Sequence, residues 1–559
     1  MKLSTETLKK IILDSGFVAE KDLEEAAKAA KELKKPLSDV LVFRGLISEQ
    51  ALGQLIAEHF GVPFAPIRGR VIPSKILSLI PEKLARAYRI IPFDLKGNRL
   101  HLAMEDPKDF ETLEFAKRKT GLRIVPYFAT ESDVNRALGQ YKRNIKKQFK
   151  KIILQNLKKA KGAVKEGAHA AEELPVVKLL DTIIEFAAAE GASDIHLESF
   201  NDQLIVRFRI DGILHDIITL PKEIQPALVA RIKILSSLKI DEHRVPQDGR
   251  FKFAIDDEFI ALRVSILPGF YGENVVMRLL AESARPFSLE ELGLTGHNLQ
   301  VVQDNIRKPH GMILVTGPTG SGKTTTLYSI LNMLNTTAVK ICTIEDPIEY
   351  GIRRISQTQV NPKAGLTFAS GLRSLLRHDP DIIMVGEIRD EETANIAIHA
   401  ALTGHLVLST LHTNDAAGAI PRFLDMGAEG YLLASTVNAV IAQRLVRRIC
   451  SNCITEYQPD QASLNFFVQE FGPKVKKQKF YKGKGCEECN FRGYRGRIGI
   501  FEVLEVNDEI RKLTIQKSSS DEIKKAAVKN GMVTMLEDGL NKIAAGLTTV
   551  EEVLRAVRE

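Results

Sequence analysis

The chain of 559 residues contains no tryptophan, only five cysteines, and 6% aromatic residues. Five cysteines across this length argue for a reducing compartment rather than a disulfide-stapled secreted protein. No uninterrupted apolar run approaches the ~18 residues of a membrane span. The opening Met1-Lys2-Leu3-Ser4-Thr5-Glu6 lacks the apolar core of a signal peptide, so export is not expected. The absence of tryptophan and of aromatics interleaved with basic residues argues against nucleic acid as a partner. What remains is an ordinary globular composition, 44% hydrophobic and 26% charged, long enough for about three to four domains.

The net charge of +8 is unevenly placed. Tyr141–Glu173 holds ten Lys/Arg and three Glu, hence +7, which leaves +1 for the other 526 residues. Ile145, Phe149, Ile152, Ile153 and Leu157 recur there at helical spacing. The segment therefore reads as a basic amphipathic helix running into an Ala/Gly-rich linker, 141–173, either a solvated joint or a peripheral contact with an anionic membrane.

Before that joint lie two modules. Residues 1–66 carry an internal repeat: Leu8-x3-Ile12-x3-Gly16-x-Val18-x4-Leu23 returns as Leu37-x3-Leu41-x3-Gly45-x-Ile47-x4-Leu52, offset by 29 residues. Each copy reads as helix, glycine turn, helix. Residues 67–140 read as a small α/β unit, with a helix over 74–88, strands over 90–93, 100–103 and 122–127, and a closing helix over 131–141. After the joint, 174–290 begins with an apolar-periodic helix and continues in alternating strands. Residues 291–446 alternate strands and helices as a parallel sheet with crossover helices does. Cysteine pairs occupy 447–500, and a helical region closes the chain at 501–559.

The strongest chemical signal is Gly317-Pro318-Thr319-Gly320-Ser321-Gly322-Lys323-Thr324-Thr325, preceded by an apolar strand (Met312–Val315) and followed by a helix-compatible stretch. This is a phosphate loop in the context it requires. Its backbone N–H groups can close around polyphosphate at a helix N-terminus, Lys323 can reach the β/γ-phosphates of ATP, and Thr324 can ligate Mg²⁺. A second apolar strand delivers Glu387 beside it, suited to Mg²⁺ or to positioning water. Between them, Glu345, Asp346 and Glu349 form an acidic cluster, which composition alone reads as a solvated turn and chemistry reads as a site for activating water. Cys450-x2-Cys453 and Cys486-x2-Cys489 are two knuckles able to offer four thiolates to one Zn²⁺, leaving no open position, so the metal would be structural. Cys342 falls in an apolar core strand, apart from them.

Five blocks carry a resemblance. Ile344-Glu345-Asp346-Pro347-Ile348-Glu349 resembles the Asp box of the secretion ATPase superfamily, and Gly404-His405 through His412-Thr413-Asn414 its His box. Leu372-Arg373 through Gly386-Glu387-Ile388-Arg389-Asp390 resembles its Walker B region. Ala192-Ser193-Asp194-Ile195-His196 and Val206-Arg207-Phe208-Arg209-Ile210-Asp211-Gly212 resemble the small domain that precedes its core.

The resemblance, to the ATPases of type IV pilus extension and type II secretion, implies a multidomain α/β fold. A RecA-like core would follow a small PAS-like α/β domain, with N-terminal modules and a four-cysteine zinc insertion. It implies a cytoplasmic homo-hexamer, peripheral at the inner membrane, working with a membrane platform protein and a cytoplasmic docking protein. Glu349 would activate water, Glu387 would act near Mg²⁺, and His412 would contact the γ-phosphate with His405 nearby. Arg263 and Arg278 would be arginine fingers.

The N-terminal repeat resembles paired modules that bind cyclic di-GMP in some pilus ATPases. Those modules open on Arg-Leu-Gly and end on Gln. Here the openings are Thr7-Leu8-Lys9 and Pro36-Leu37-Ser38, with Ala30 and His59 at the ends. The missing arginines argue against that ligand and for a docking scaffold.

Overall fold

The computed structural model describes residues 5–15, 17–20, 22–24, 26–27, 37–38, 41, 46–68, 70, 72–135, 137–141, 153, 174–255, 258–281 and 287–558. The basic segment, apart from Tyr141 and Ile153, and the turn glycines Gly16 and Gly45 lie outside the described residues. The chain divides into two units, Met1–Lys158 and Lys159–Glu559.

In the first unit, the described helices Thr5–Ser15 and Glu49–Phe60 pack together around Leu8, Ile12, Leu41, Ile47 and Leu52. Ser48 caps the second helix by accepting from Ala51 N–H. A three-stranded sheet follows, of β1 (Ile90–Lys96), β2 (Arg99–Met104) and β3 (Arg123–Phe128), with β2 in the middle. The helix expected over 74–88 is broken into Ser74–Leu77 and Glu82–Tyr88. Pro81 has no N–H to continue the first piece and sits where the second begins.

The second unit opens with helix Leu174–Ala189. Val176, Leu179, Leu180, Ile183, Ile184 and Ala187 are all fully buried, the i, i+3, i+4 pattern of one apolar stripe. The stripe packs on β4 (Ala192–Ser199) and on helix Gln225–Leu235. Strand β4 lies in a six-stranded antiparallel sheet with β5 (Gln203–Ile210), β6 (Ile213–Pro221), β7 (Gln247–Ile255), β8 (Glu258–Gly269) and β9 (Gly272–Ala281), in the order β6-β5-β4-β9-β8-β7. Alternation along these strands buries one face and leaves the other polar.

The larger sheet has seven strands in the order β12-β11-β13-β14-β10-β15-β18. They are β10 (Gly311–Thr316), β11 (Ile341–Glu345), β12 (Ile355–Gln359), β13 (Ile382–Val385), β14 (Leu406–Leu411), β15 (Val437–Ile449) and β18 (Tyr494–Glu505). All pairs are parallel except β15 with β18. Met312, Ile313, Leu314 and Val315 are each fully buried. A strand covered on both faces reads as a continuous apolar run, which is why β10 was legible. The cysteine segment is an excursion between antiparallel neighbours β15 and β18, with its own two-stranded sheet of β16 (Ile454–Tyr457) and β17 (Phe480–Gly483). Helices Asp508–Ile515, Ser520–Lys529, Met535–Ala544 and Val550–Arg558 close the chain. Among the described residues no helix is long and apolar enough to cross a membrane.

Candidate functional site

The phosphate loop leaves the carboxyl end of β10, at the inner part of the parallel sheet, and runs into helix Lys323–Leu334. Gly317 has φ of 146°, and a Cβ there would stand 2.5 Å from the Gln443 carbonyl oxygen, so only glycine fits. Pro318, Thr319 and Gly320 form an exposed lip, whereas Gly317 and Ser321 are buried beneath it. Thr324 and Thr325 are half-buried in the helix's first turn. Lys323 Nζ donates to the carbonyls of Gly317 (2.8 Å) and Pro318 (3.1 Å), so the loop's cation is satisfied by the loop itself. Burial, and secondarily Arg444, lower its pKa, while Glu387 opposes them.

Glu387 follows β13 and faces the same edge. Gly386 lets the strand end pass close to its neighbour: a Cβ there would lie 3.3 Å from Glu345 Cα. Glu387 Oε2 accepts from Arg389 Nε at 2.6 Å and lies 3.4 Å from His412 Nε2. Burial lowers the His412 pKa, as does the nearby Lys323 cation, with Glu387 working the other way. His412 therefore favours the neutral imidazole. The structure thus gathers Lys323, Glu387 and His412, from three strand ends.

His405 is elsewhere. It precedes β14 whereas His412 follows it, so the six residues of Leu406–Leu411 separate them by roughly 20 Å. Its Nδ1 lies 2.9 Å from the Ala400 carbonyl oxygen, a helix-end contact. The expectation that His405 stands near His412 is corrected by strand geometry.

The acidic cluster splits in two. Glu345 ends β11 and is only 2% exposed, so it is no solvated turn residue. Glu349 lies past the cis Asp346–Pro347 bond. Burial raises the Glu349 pKa, Arg278 and Arg263 lower it, and Glu345 adds to the rise. The two arginines thus act on Glu349 through their charge, while the ion pair that Arg278 makes is with Asp194.

Cross-strand register explains how they are held. Arg250 on β7 lies opposite Arg263 on β8, which lies opposite Arg278 on β9, which lies opposite Asp194 on β4, itself opposite Arg209 on β5. Like charges directly opposite in a sheet are destabilising, so this row of four arginines requires a compensating anion. Asp194 supplies part of it, accepting from Arg278 Nε at 2.9 Å and lying 3.6 Å from Arg209. Arg250 lies outside the blocks that carry the family resemblance, whereas Asp194 and Arg209 lie within its two small-domain blocks without being singled out there as site residues.

The cysteine sulfurs meet. Cys450, Cys453, Cys486 and Cys489 place all four Sγ atoms within 4.8 Å of one another, with Cys450–Cys486 and Cys453–Cys489 at 3.8 Å. A tetrahedral ion about 2.3 Å from each sulfur sets neighbouring sulfurs about 3.8 Å apart, so the donor set fits Zn²⁺. Cys489 Sγ also accepts from the N–H groups of Cys486 (3.1 Å) and Gly493 (3.2 Å), which orient and stabilise a thiolate. Just beyond, Asn490 and Arg492 donate to Glu190 at 2.5 and 3.3 Å, tying the knuckle to the end of helix Leu174–Ala189. Cys342 is fully buried in β11 and takes no part.

Comparison with known proteins agrees with this geometry. Residues 169–555 match the family described as type II/IV secretion system protein, and residues 60–147 match the MshEN domain. The type IV pilus assembly ATPase PilB of Myxococcus xanthus is 39% identical, covering 98% of each chain. The type II secretion system protein E of Xanthomonas campestris is likewise 39% identical over 98% of each. The type II secretion system protein E of Pseudomonas aeruginosa is 48% identical over 69% of this chain and 76% of its own. Among solved structures, the Legionella pneumophila ATPase DotB shares the fold, with a TM-score of 0.50 at 23% identity, covering 68% of this chain and 95% of that one. The chain belongs to the type II/IV secretion ATPase family, and is an ATPase of the pilus-assembly and type II secretion kind.

Proposed function

We propose that this ATPase works as a cytoplasmic homo-hexameric ring, peripheral at the inner membrane. It drives polymerisation of type IV pilin or type II pseudopilin subunits through a membrane platform protein, with a cytoplasmic docking protein as a further partner. The observation that carries the reading is the convergence of Lys323, Glu387 and His412 at the carboxyl ends of neighbouring parallel strands, with the charges of Arg263 and Arg278 from the preceding small domain acting on Glu349.

In this reading ATP lies on the loop Gly317–Thr325, and Lys323 leaves the Gly317 and Pro318 carbonyls for the β/γ-phosphates. Thr324 and Glu387 offer oxygen donors for Mg²⁺, which neutralises phosphate charge when bound. Glu349 takes a proton from the attacking water as its oxygen bonds to the γ-phosphorus and the bridging bond to ADP breaks, giving ADP and inorganic phosphate. Neutral His412 donates a hydrogen bond to the γ-phosphate. Arg263 and Arg278 move from Glu349 toward the developing charge, so hydrolysis is coupled to motion of the small domain against the core. Zn²⁺ on Cys450, Cys453, Cys486 and Cys489 is structural. The +7 segment 141–173 offers a cationic contact for an anionic membrane surface. Neither nucleic acid nor cyclic di-GMP is assigned as a partner.

A deletion strain, scored separately for surface pili and for exported enzymes, tests the reading. One of the two should be lost, and be restored by the wild-type gene but not by Lys323→Ala. Retention of both, or rescue by Lys323→Ala, would contradict it. Ring assembly is tested by mixing Arg263→Ala with Lys323→Ala chains: activity recovers if arginine and phosphate loop meet across subunits, and stays lost if each site is built from one chain.

A further inference from the structure

We infer that Tyr328 is a positioning residue for hydrolysis: its hydroxyl ties the helix that follows the phosphate loop to the backbone of Glu349. The inference rests on the reading of Glu349 as the group that activates water.

Tyr328 is the sixth residue of helix Lys323–Leu334, which begins at the phosphate-loop lysine, and it is 1% exposed. Its hydroxyl donates to Glu345 Oε2 at 2.5 Å and accepts from the Glu349 N–H at 3.4 Å. Gln357 Nε2 reaches both the hydroxyl (3.3 Å) and Glu345 Oε1 (3.2 Å), and Thr343 Oγ1 donates to Glu345 Oε1 at 2.5 Å. The Tyr350 ring meets the Tyr328 ring edge-on at 4.7 Å, fixing its plane. The hydroxyl is therefore a hub between three segments: the phosphate-loop helix, the end of β11 and the loop carrying Glu349.

The arrangement is costly for a purely structural contact. Glu345 is a buried carboxylate whose hydrogen bonds come from neutral donors, with no ion pair among the described residues. Packing alone is met more cheaply by an apolar pair. What the polar hub adds is direction. The short bond to Glu345 orients the phenolic oxygen, and that oxygen fixes the height of the Glu349 backbone relative to the helix bearing Lys323. Misplacing a reacting group by about 1 Å can cost about 100-fold in rate, so this tether matters for turnover more than for holding ATP.

The test uses the full chain, measuring ATP affinity with a fluorescent analogue, single-turnover hydrolysis and thermal unfolding. Tyr328→Phe should lower the hydrolysis rate roughly 10- to 100-fold while analogue affinity stays within about twofold. Because phenylalanine leaves Glu345 Oε2 without its donor and can destabilise the protein, the double variant Tyr328→Phe/Glu345→Gln is the deciding one. Positioning predicts that stability returns while turnover stays low. Turnover recovering together with stability would mean a packing role and overturn the inference, as would wild-type turnover in Tyr328→Phe or a parallel loss of analogue affinity. Near-wild-type turnover in Glu349→Gln would instead remove the reading beneath it.

Discussion

Asp194 holds Arg278. Its Oδ1 accepts from Arg278 Nε at 2.9 Å across paired strands β4 and β9, from a side chain only 6% exposed. Burial alone would raise the carboxyl pKa, but Arg278, Ser193 and Arg209 outweigh it and hold it below the usual range. Asp194 thus favours its ionised form and fixes the Nε side of the Arg278 guanidinium. Asp194→Asn weakens a charge-assisted bond, and the cost of about 1.5–3 kcal/mol corresponds to a fall in kcat of roughly 10- to 100-fold with ATP affinity kept. Steady-state kinetics beside nucleotide titration check this; unchanged kcat would mean that Asp194 merely stabilises the sheet.

Burial raises the Glu349 pKa, and Arg278 opposes that rise. The arginine favours the ionised carboxylate, and burial opposes it. Removing the cation in Arg278→Ala raises the Glu349 pKa, so less of the proposed base is ionised at a given pH. The acid limb of the residual kcat profile should move to higher pH. A limb that stays in place would separate Arg278 from Glu349.

The cysteine cluster predicts about one Zn²⁺ per chain by metal analysis. Cys486→Ser, or prolonged chelation, should lower the melting temperature and abolish stoichiometric metal. Because the knuckle also holds Glu190 through Asn490 and Arg492, protease cleavage after Arg492 should rise in the same variant. Full stability without metal would contradict a structural role.

Glu552 predicts an acid dependence of stability. Its carboxylate, 3% exposed, accepts from Arg447 Nη2 at 2.6 Å and from Arg555 Nη2 at 3.1 Å. Burial works against ionisation, but these partners bring the pKa from 4.5 down to about 2. A carboxyl lowered on folding stabilises fully above its unfolded pKa and loses that contribution as pH falls toward the folded one. The gain is about 3 kcal/mol at neutral pH. Glu552→Gln should therefore melt lower at pH 7, with the difference from wild type narrowing below about pH 4.5; a constant difference would contradict it.

The parallel core and its phosphate loop were legible because both are local in sequence. Fully buried strands read as apolar runs, and Gly317, Gly322 and Lys323 must sit at fixed offsets to form a nest. The cysteine knuckles were legible for the same reason. Relationships between distant segments were not. The arginine row depends on the register of five strands, so nothing local marks Arg250, and the block containing Arg209 does not show which residues stand opposite it. Glu345 and Glu349 lie four residues apart and look alike in sequence, yet one ends a buried strand and the other is subject to the charges of two arginines. His405 and His412 share a motif but occupy opposite ends of β14, because a strand separates what a string of letters places together. The break at Pro81 was readable from its missing N–H, and the periodicity of the flanking residues masked it.

In the proposed mechanism, ATP held on the Gly317–Thr325 loop is hydrolysed by water activated at Glu349. The most direct test is single-turnover hydrolysis of ATP by Glu349→Gln, beside its equilibrium affinity for ATP. Loss of a general base predicts a rate about 10²- to 10⁴-fold below wild type with affinity unchanged. A rate within a fewfold of wild type, at the same affinity, would contradict the account.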